Sequence, residues 1–147
     1  MSQAAIVRAN WRDVPALVRL DRRCFPPGDR FGWITYLSLC IWPGGVTLKA
    51  QVDHACVGLV AGDPRRRRGY VNIVTLAVDP GWRRCGIGEQ LLRACEAQFD
   101  LPRFELQVRQ HNTAAIQLYR KLGYAIVGEL PRYYGDADGY LMAKERR

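Results

Sequence analysis

The stretch Val78-Asp79-Pro80-Gly81-Trp82-Arg83-Arg84-Cys85-Gly86-Ile87-Gly88 constrains this chain more than any other. An apolar, β-branched run from Tyr70 to Val78 leads into it. Ile87, Leu91, Leu92, Cys95 and Phe99 follow at helical spacing. The stretch therefore carries a strand into a helix, with two glycines at the changeover. Such a junction turns several backbone N–H groups toward one spot, with the positive end of the helix behind them. A Cβ would hold a pyrophosphate off that backbone, so glycine fits there. Arg83 and Arg84 bring full charges for phosphate oxygens.

Three phosphate loops compete for this pattern. A Walker loop needs G-x-x-x-x-G-K-[ST], and no Lys-Ser or Lys-Thr follows Gly88. A dinucleotide fingerprint needs a third glycine where Leu91 stands. The remaining pattern, R-x-x-G-x-G after an apolar strand ending in Val-Asp-Pro, is met in full. A lone G-x-G would mean only a tight helix start.

The rest of the chain reads as a mixed α/β layout. Ala4 to Arg8 is a strand, and Asp13 caps a helix with Pro15 in its first turn. Val14, Leu17, Val18, Leu20 and Cys24 form that helix's apolar side, and Phe25-Pro26-Pro27-Gly28 ends it. A shorter helix covers Phe31 to Leu39 and breaks at Pro43-Gly44-Gly45. Strands are expected at Val46–Val52, Cys56–Ala61, Tyr70–Val78, Phe104–Val108, Tyr124–Val127 and Gly139–Ala143. Asn112 caps a further helix with Ala115, Ile116, Tyr119 and Leu122 on one face, and Gly123 stops it. His54 falls in a turn and His111 just before a helix, so both read as surface residues. Trp11, Trp33, Trp42 and Trp82 read as packing residues.

Composition narrows the function classes. The 147 residues suit one domain, and no apolar run approaches the roughly 20 residues of a membrane helix. Met1 to Ala9 is too polar for a secretory signal, so a cytoplasmic location is expected. The 5 cysteines form no C-x-x-C pair and have no histidine cluster near them, which argues against both a metal site and a disulfide framework. Lys plus Arg number 22 against 14 Asp plus Glu, a net charge of +8 that suits an anionic partner. The densest run, Arg65 to Arg68, lies between turn residues and lacks the aromatic interleaving of a nucleic-acid surface. A solvated hairpin tip is the favoured reading there.

The R-x-x-G-x-G loop resembles the acyl-CoA pyrophosphate loop of the GCN5-related N-acetyltransferase (GNAT) superfamily. Leu106 to Tyr124, with its strand, Asn112, helix, Tyr119 and Gly123, resembles that family's later motif. Two features resemble the protein N-terminal acetyltransferases within it, the ribosomal-protein-alanine type included. These are Phe25-Pro26 in the first inter-helix loop and the Tyr133-Tyr134 loop between the last strands.

The resemblance implies an α/β (α+β) fold: a mixed, mostly antiparallel sheet of about seven strands flanked by about four helices. It spans residues 1–147 as a single acetyltransferase domain. It implies direct attack of an amine on acetyl-CoA, a co-substrate, with no metal. The acceptor it implies is the α-amino group of a protein or peptide, a ribosomal protein among the candidates. Backbone of Leu76, Ala77 and Val78 would hold the pantetheine arm and polarise the thioester. Arg83, Arg84, Cys85, Gly86, Ile87, Gly88 and Glu89 would hold the pyrophosphate, and Asn112 would also touch the cofactor. Phe25, Pro26, Tyr133 and Tyr134 would wall the peptide, and Tyr119 would protonate the departing thiolate.

One departure stands out. The ribosomal-protein-alanine type carries a glutamate general base where Gln107 stands, and an amide cannot usefully accept a proton. Glu105 lies two residues earlier on the same strand face, about 7 Å away. The expectation is that Glu105 takes the proton through a water; a solvated strand-end carboxylate reads equally well. Neutralising an α-amine of pKa near 8 at pH 7 costs about 1.4 kcal/mol, against roughly 4.6 for lysine. A weak or indirect base therefore favours N-terminal amines. Small-amine or lysine acetylation, or a silent CoA- or nucleic-acid-binding module, are the rivals.

Overall fold

A computed structural model describes residues 4–146. Residues 1–3, part of the stretch read against a secretory signal, lie outside it. The strands are β1 (Ala5–Arg8), β2 (Val46–Val52), β3 (Ala55–Arg65), β4 (Tyr70–Val78), β5 (Arg103–Arg109), β6 (Ala125–Leu130) and β7 (Gly139–Glu145). The helices are α1 (Val14–Cys24), α2 (Trp33–Ile41), α3 (Ile87–Glu96) and α4 (Thr113–Lys121). All seven strands form one sheet in the order β1-β2-β3-β4-β5-β7-β6. Every neighbouring pair is antiparallel except β4 and β5. The expected fold class and element order hold.

Two cores cover the sheet. Residues of α3 and α4, among them Leu91, Leu92, Cys95 and Ile116, pack with Val60, Ile73, Phe104 and Leu106 on one face. Leu17, Leu20 and Tyr36 of α1 and α2 pack with Leu59 and Ala77 on the other. On β4, Ile73 and Leu76 both belong to the α3–α4 core although three residues apart, while Ala77 faces α1. A bulge makes this odd spacing: Ala61 pairs Thr75, but Gly62 pairs Ile73. Helix α3 sits hard against β3, since a Cβ on Gly58 would lie 2.8 Å from Leu91 Cδ1.

Several local readings need correction. Asp13 precedes α1 without capping it; its carboxylate accepts from the Asn10 N–H and pairs with Lys49 Nζ at 2.6 Å. Asn10 supplies the cap of the short turn before α1. Helix α2 is displaced two residues from the expected span, with Gly32 as its N-cap. Strand β3 runs on through Gly62-Asp63-Pro64-Arg65, read from sequence as turn. Trp11, Trp33 and Trp42 are not packed but 60%, 54% and 67% exposed, whereas Trp82 does pack on the core. Ile34, Leu37 and Ile41 of α2 are exposed as well, and the Arg12 guanidinium lies over the Trp11 ring, 5.3 Å from its centroid. Only Tyr36 of that helix is buried.

Tyr36 closes a polar contact inside the second core. Its hydroxyl donates to Asp21 Oδ2 at 2.5 Å, and the Phe31 N–H donates to the same carboxylate. Burial pushes the Asp21 carboxyl up despite those bonds. Among the described residues no helix is long and apolar enough to cross a membrane.

Candidate active site

The site begins where the sheet opens. Strands β4 and β5 pair only at Tyr70–Arg103, Val71–Phe104 and Asn72–Glu105. Beyond Asn72 the two diverge, so the β4 edge through Leu76, Ala77 and Val78 faces no strand on that side. The Val78 carbonyl accepts from the Cys24 thiol and from Arg83 Nε, each at 3.3 Å. The end of α1 is further fastened to the end of β4 by Arg23, 2.7 Å from Asp79.

The glycine loop follows at once. Asp79 turns the chain by accepting from the Gly81 N–H at 2.9 Å. Arg84 and Gly86 take positive φ, +65° and +82°. The two glycines serve different ends. Nothing lies within 4 Å of a Cβ on Gly86, so only its left-handed backbone demands glycine. A Cβ on Gly88 would stand 3.3 Å from Leu118 of α4, so Gly88 allows α3 and α4 to close together. Among the described residues the N–H groups of Arg84 through Glu89 bond to no protein acceptor. Those of Gly86 to Glu89 are the free donors of the first turn, at the positive end of α3, and the exposed Arg83 and Arg84 precede them in the chain. That donor set fits a pyrophosphate.

Helix α4 supplies the opposite bank. Asn112 caps it through Oδ1, accepting from the Ala115 N–H at 3.2 Å, which leaves its amide NH2 unused. Tyr119 points into the core, only 9% exposed. Among the described residues its hydroxyl has no hydrogen-bond partner, yet it is not a buried unpaired atom, so it reaches accessible space. Burial, with Tyr134 nearby, pushes the Tyr119 phenol up to about 12. It therefore holds its proton throughout the neutral range.

On the α1–α2 face of β5 stand Glu105, Gln107 and Arg109. Glu105 Oε2 accepts from Arg103 Nε at 2.9 Å, at the closed end of the opening. Gln107 Nε2 donates to Asn72 Oδ1 at 3.1 Å across the mouth. Arg109 grips Asp29 with two bonds, 2.5 and 2.8 Å, and reaches Asp136 at 3.1 Å. Its guanidinium also lies over the Tyr134 ring, 4.5 Å from the centroid. Asp29 follows Pro26 in the α1–α2 loop, and Asp136 follows Tyr134 in the β6–β7 loop, so one side chain fastens both loops. The Tyr133 and Tyr134 rings stack at 5.0 Å. Gly139 makes room for them, since a Cβ there would meet the Tyr134 ring at 2.9 Å. Sequence reading missed Asn72, Asp29 and Arg109; only an arginine on the exposed parity of β5 hinted at the last. His54 and His111 are exposed, as expected.

Residues 14–124 match the acetyltransferase (GNAT) family. An N-alpha-acetyltransferase of Sulfurisphaera tokodaii is 30% identical, over 94% of this chain and 90% of its own length. Ard1 of Thermoplasma volcanium superposes with a TM-score of 0.86 at 27% identity, over 99% of both chains. Arabidopsis thaliana Naa50, solved with the bisubstrate analogue CoA-Ac-MVNAL, gives 0.83 at 25% identity, over 97% of this chain and 98% of that one. The chain belongs to the acetyltransferase (GNAT) family. It is an N-acetyltransferase.

Proposed function

We propose that this enzyme transfers the acetyl group of acetyl-CoA to the N-terminal α-amino group of a protein or peptide. The observation that carries the reading is the join made by Arg109. The Phe25-Pro26 and Tyr133-Tyr134 loops are fastened to one guanidinium beside the opening of β4 and β5. A chain end can enter between two such walls and meet the thioester. The relatives named N-alpha-acetyltransferase support the same acceptor. So does the peptide-bearing analogue held by Naa50.

In this reading the N–H groups of residues 84–89 hold the pyrophosphate, the β4 edge at Leu76–Val78 holds the pantetheine arm, and the Asn112 amide adds a contact. The amine attacks the thioester carbonyl directly, without an acyl-enzyme. Cys85 sits exposed in the phosphate loop, remote from that chemistry. Tyr119 gives its proton to the departing sulfur. From a phenol near 12 to a thiolate near 8.5 that transfer is uphill by roughly 5 kcal/mol, so it accompanies C–S cleavage rather than preceding it. The whole chain acts as one catalytic domain.

The test is turnover of acetyl-CoA against peptides varied at their first two positions, with mass spectrometry locating the acetyl group. Acetyl on the α-nitrogen is expected. Modification confined to lysine Nζ or to polyamines would replace this reading with that of a side-chain or small-amine acetyltransferase.

A further inference from the structure

Resting on the α-amine reading, we propose that Gln107 and Asn72 form an amide pair that receives the amine already neutral, so that no side chain serves as general base. The Gln107 Nε2 group is spent on Asn72 Oδ1 at 3.1 Å. That bond fixes the amide, leaving Gln107 Oε1 as the acceptor turned away from Asn72. A neutral amine can donate one N–H to this oxygen and aim its lone pair at the thioester carbonyl. An ammonium ion can donate too, but it has no lone pair to attack with, and an amide oxygen cannot deprotonate it.

The groups facing this pair leave the task of base untaken. From β5 come Glu105, bonded to Arg103, and Arg109, bonded to Asp29 and Asp136. From β4 comes Tyr70, two residues before Asn72 on its parity, and from β3 come Asp63, in register with Asn72, and Arg65, which holds that carboxylate at 3.1 Å. From the loops come Asp29, Asp136 and Tyr134, all engaged by Arg109. From α1 and α2 come Asp21 and Tyr36, bonded to each other in the core, and the Cys24 thiol, bonded to the Val78 carbonyl. Each of these carboxylates is bonded to an arginine or a tyrosine hydroxyl. Neither β4 nor β5 carries a histidine.

The step balances without a base. The C–N bond forms from the amine lone pair, the C–S bond breaks, and its electron pair goes to sulfur. Sulfur takes a proton from Tyr119. The proton shed by nitrogen passes to water, and an equal proton returns to the phenol.

The experiment is kcat/KM against pH for two peptides whose α-amines differ in pKa, with wild type and the E105Q, Q107L, Q107E and N72A variants. In wild type the rate should rise tenfold per pH unit and level off at each peptide's own amine pKa. Q107L and N72A should lower kcat about tenfold or more while keeping the midpoint and the acetyl-CoA KM. Q107E should add a base and draw the midpoint below that of the amine. E105Q should leave the midpoint in place. A midpoint that ignores the peptide's amine, or that moves in E105Q, would install a carboxylate relay through Glu105 and overturn the proposal. Full kcat in Q107L, with the folded state confirmed by its melting curve, would overturn it as well. Should only lysine or polyamines be acetylated, the α-amine reading fails; the same profile on that amine still decides the amide pair, since its midpoint must follow that amine's pKa.

Discussion

Replacing Arg109 with methionine removes the guanidinium that fastens both substrate loops while keeping an unbranched stem against Tyr134. Arg109 and Asp29 are 22% and 17% exposed at their side chains and meet through two bonds of 2.5 and 2.8 Å. Hydrogen bonds to charged groups contribute about 1.5–3 kcal/mol each, and a half-open pair sharing one guanidinium falls short of the sum, at about 2–3 kcal/mol. The Asp136 contact is left out of that figure because its carboxylate is 76% exposed. If the pair holds the walls in their binding arrangement, its loss lowers the ordered fraction and raises the apparent peptide KM in proportion. The ceiling is a rise of about 30- to 150-fold. Initial rates at varied peptide and saturating acetyl-CoA read this directly. The acetyl-CoA KM should stay within twofold, because Arg109 bonds to Asp29 and Asp136 and lies over Tyr134, and touches no residue of the phosphate loop. R109K, which keeps the charge and loses the fork, should fall between. A peptide KM within twofold of wild type in R109M would refute the tether, as would an equal loss of acetyl-CoA affinity.

Y119F should cut kcat by about 100-fold with both KM values held, since proton donation contributes roughly that much and the ring's packing survives; unchanged kcat in stopped assays would remove Tyr119 from the chemistry. Y36F strips the buried Asp21 carboxylate of its hydroxyl partner and should cost about 1–3 kcal/mol in urea unfolding, with no change expected in acetyl-CoA affinity. Burial alone would raise the Asp13 pKa, but Lys49 and the Asn10 N–H outweigh it and the carboxyl lies below its ordinary value. A depressed folded pKa gives stability that is complete above about 3.9 and drains away as pH falls through the folded value. D13N should therefore be less stable than wild type at neutral pH, and the gap should close in acid; a gap independent of pH would exclude the Lys49 pair as its source.

Strands β2 and β4 and the glycine loop were legible because each is a local pattern: alternation, a β-branched run, and a turn that only glycine can make. Tyr119 and Asn112 were legible by their place on one helix. What escaped was whatever depends on pairing across distance. Gln107 and Asn72 meet over 35 positions, and Arg109 and Asp29 over 80, so no local period announces either contact. Asp21 sits on the apolar side of α1, where the Tyr36 hydroxyl, 15 positions on, and the Phe31 N–H make burial tolerable. The three exposed tryptophans failed for the reverse reason. Apolar content promises burial only if an element has a surface to cover it, and of the nine residues of α2 Tyr36 alone is fully buried, with Leu39 and Cys40 packed in part. Strand β3 outran its expected end because Pro64, a poor strand residue by its missing N–H, still pairs with Val71 in the ladder.

Calorimetric titration with coenzyme A puts the anion cradle between β4 and α3 to the most direct test. Six backbone donors at one helix start, flanked by Arg83 and Arg84, should give saturable one-to-one binding in the micromolar range that weakens in a Gly86→Val variant. Absence of any heat at millimolar coenzyme A, from protein that melts cooperatively, would contradict the account at its base.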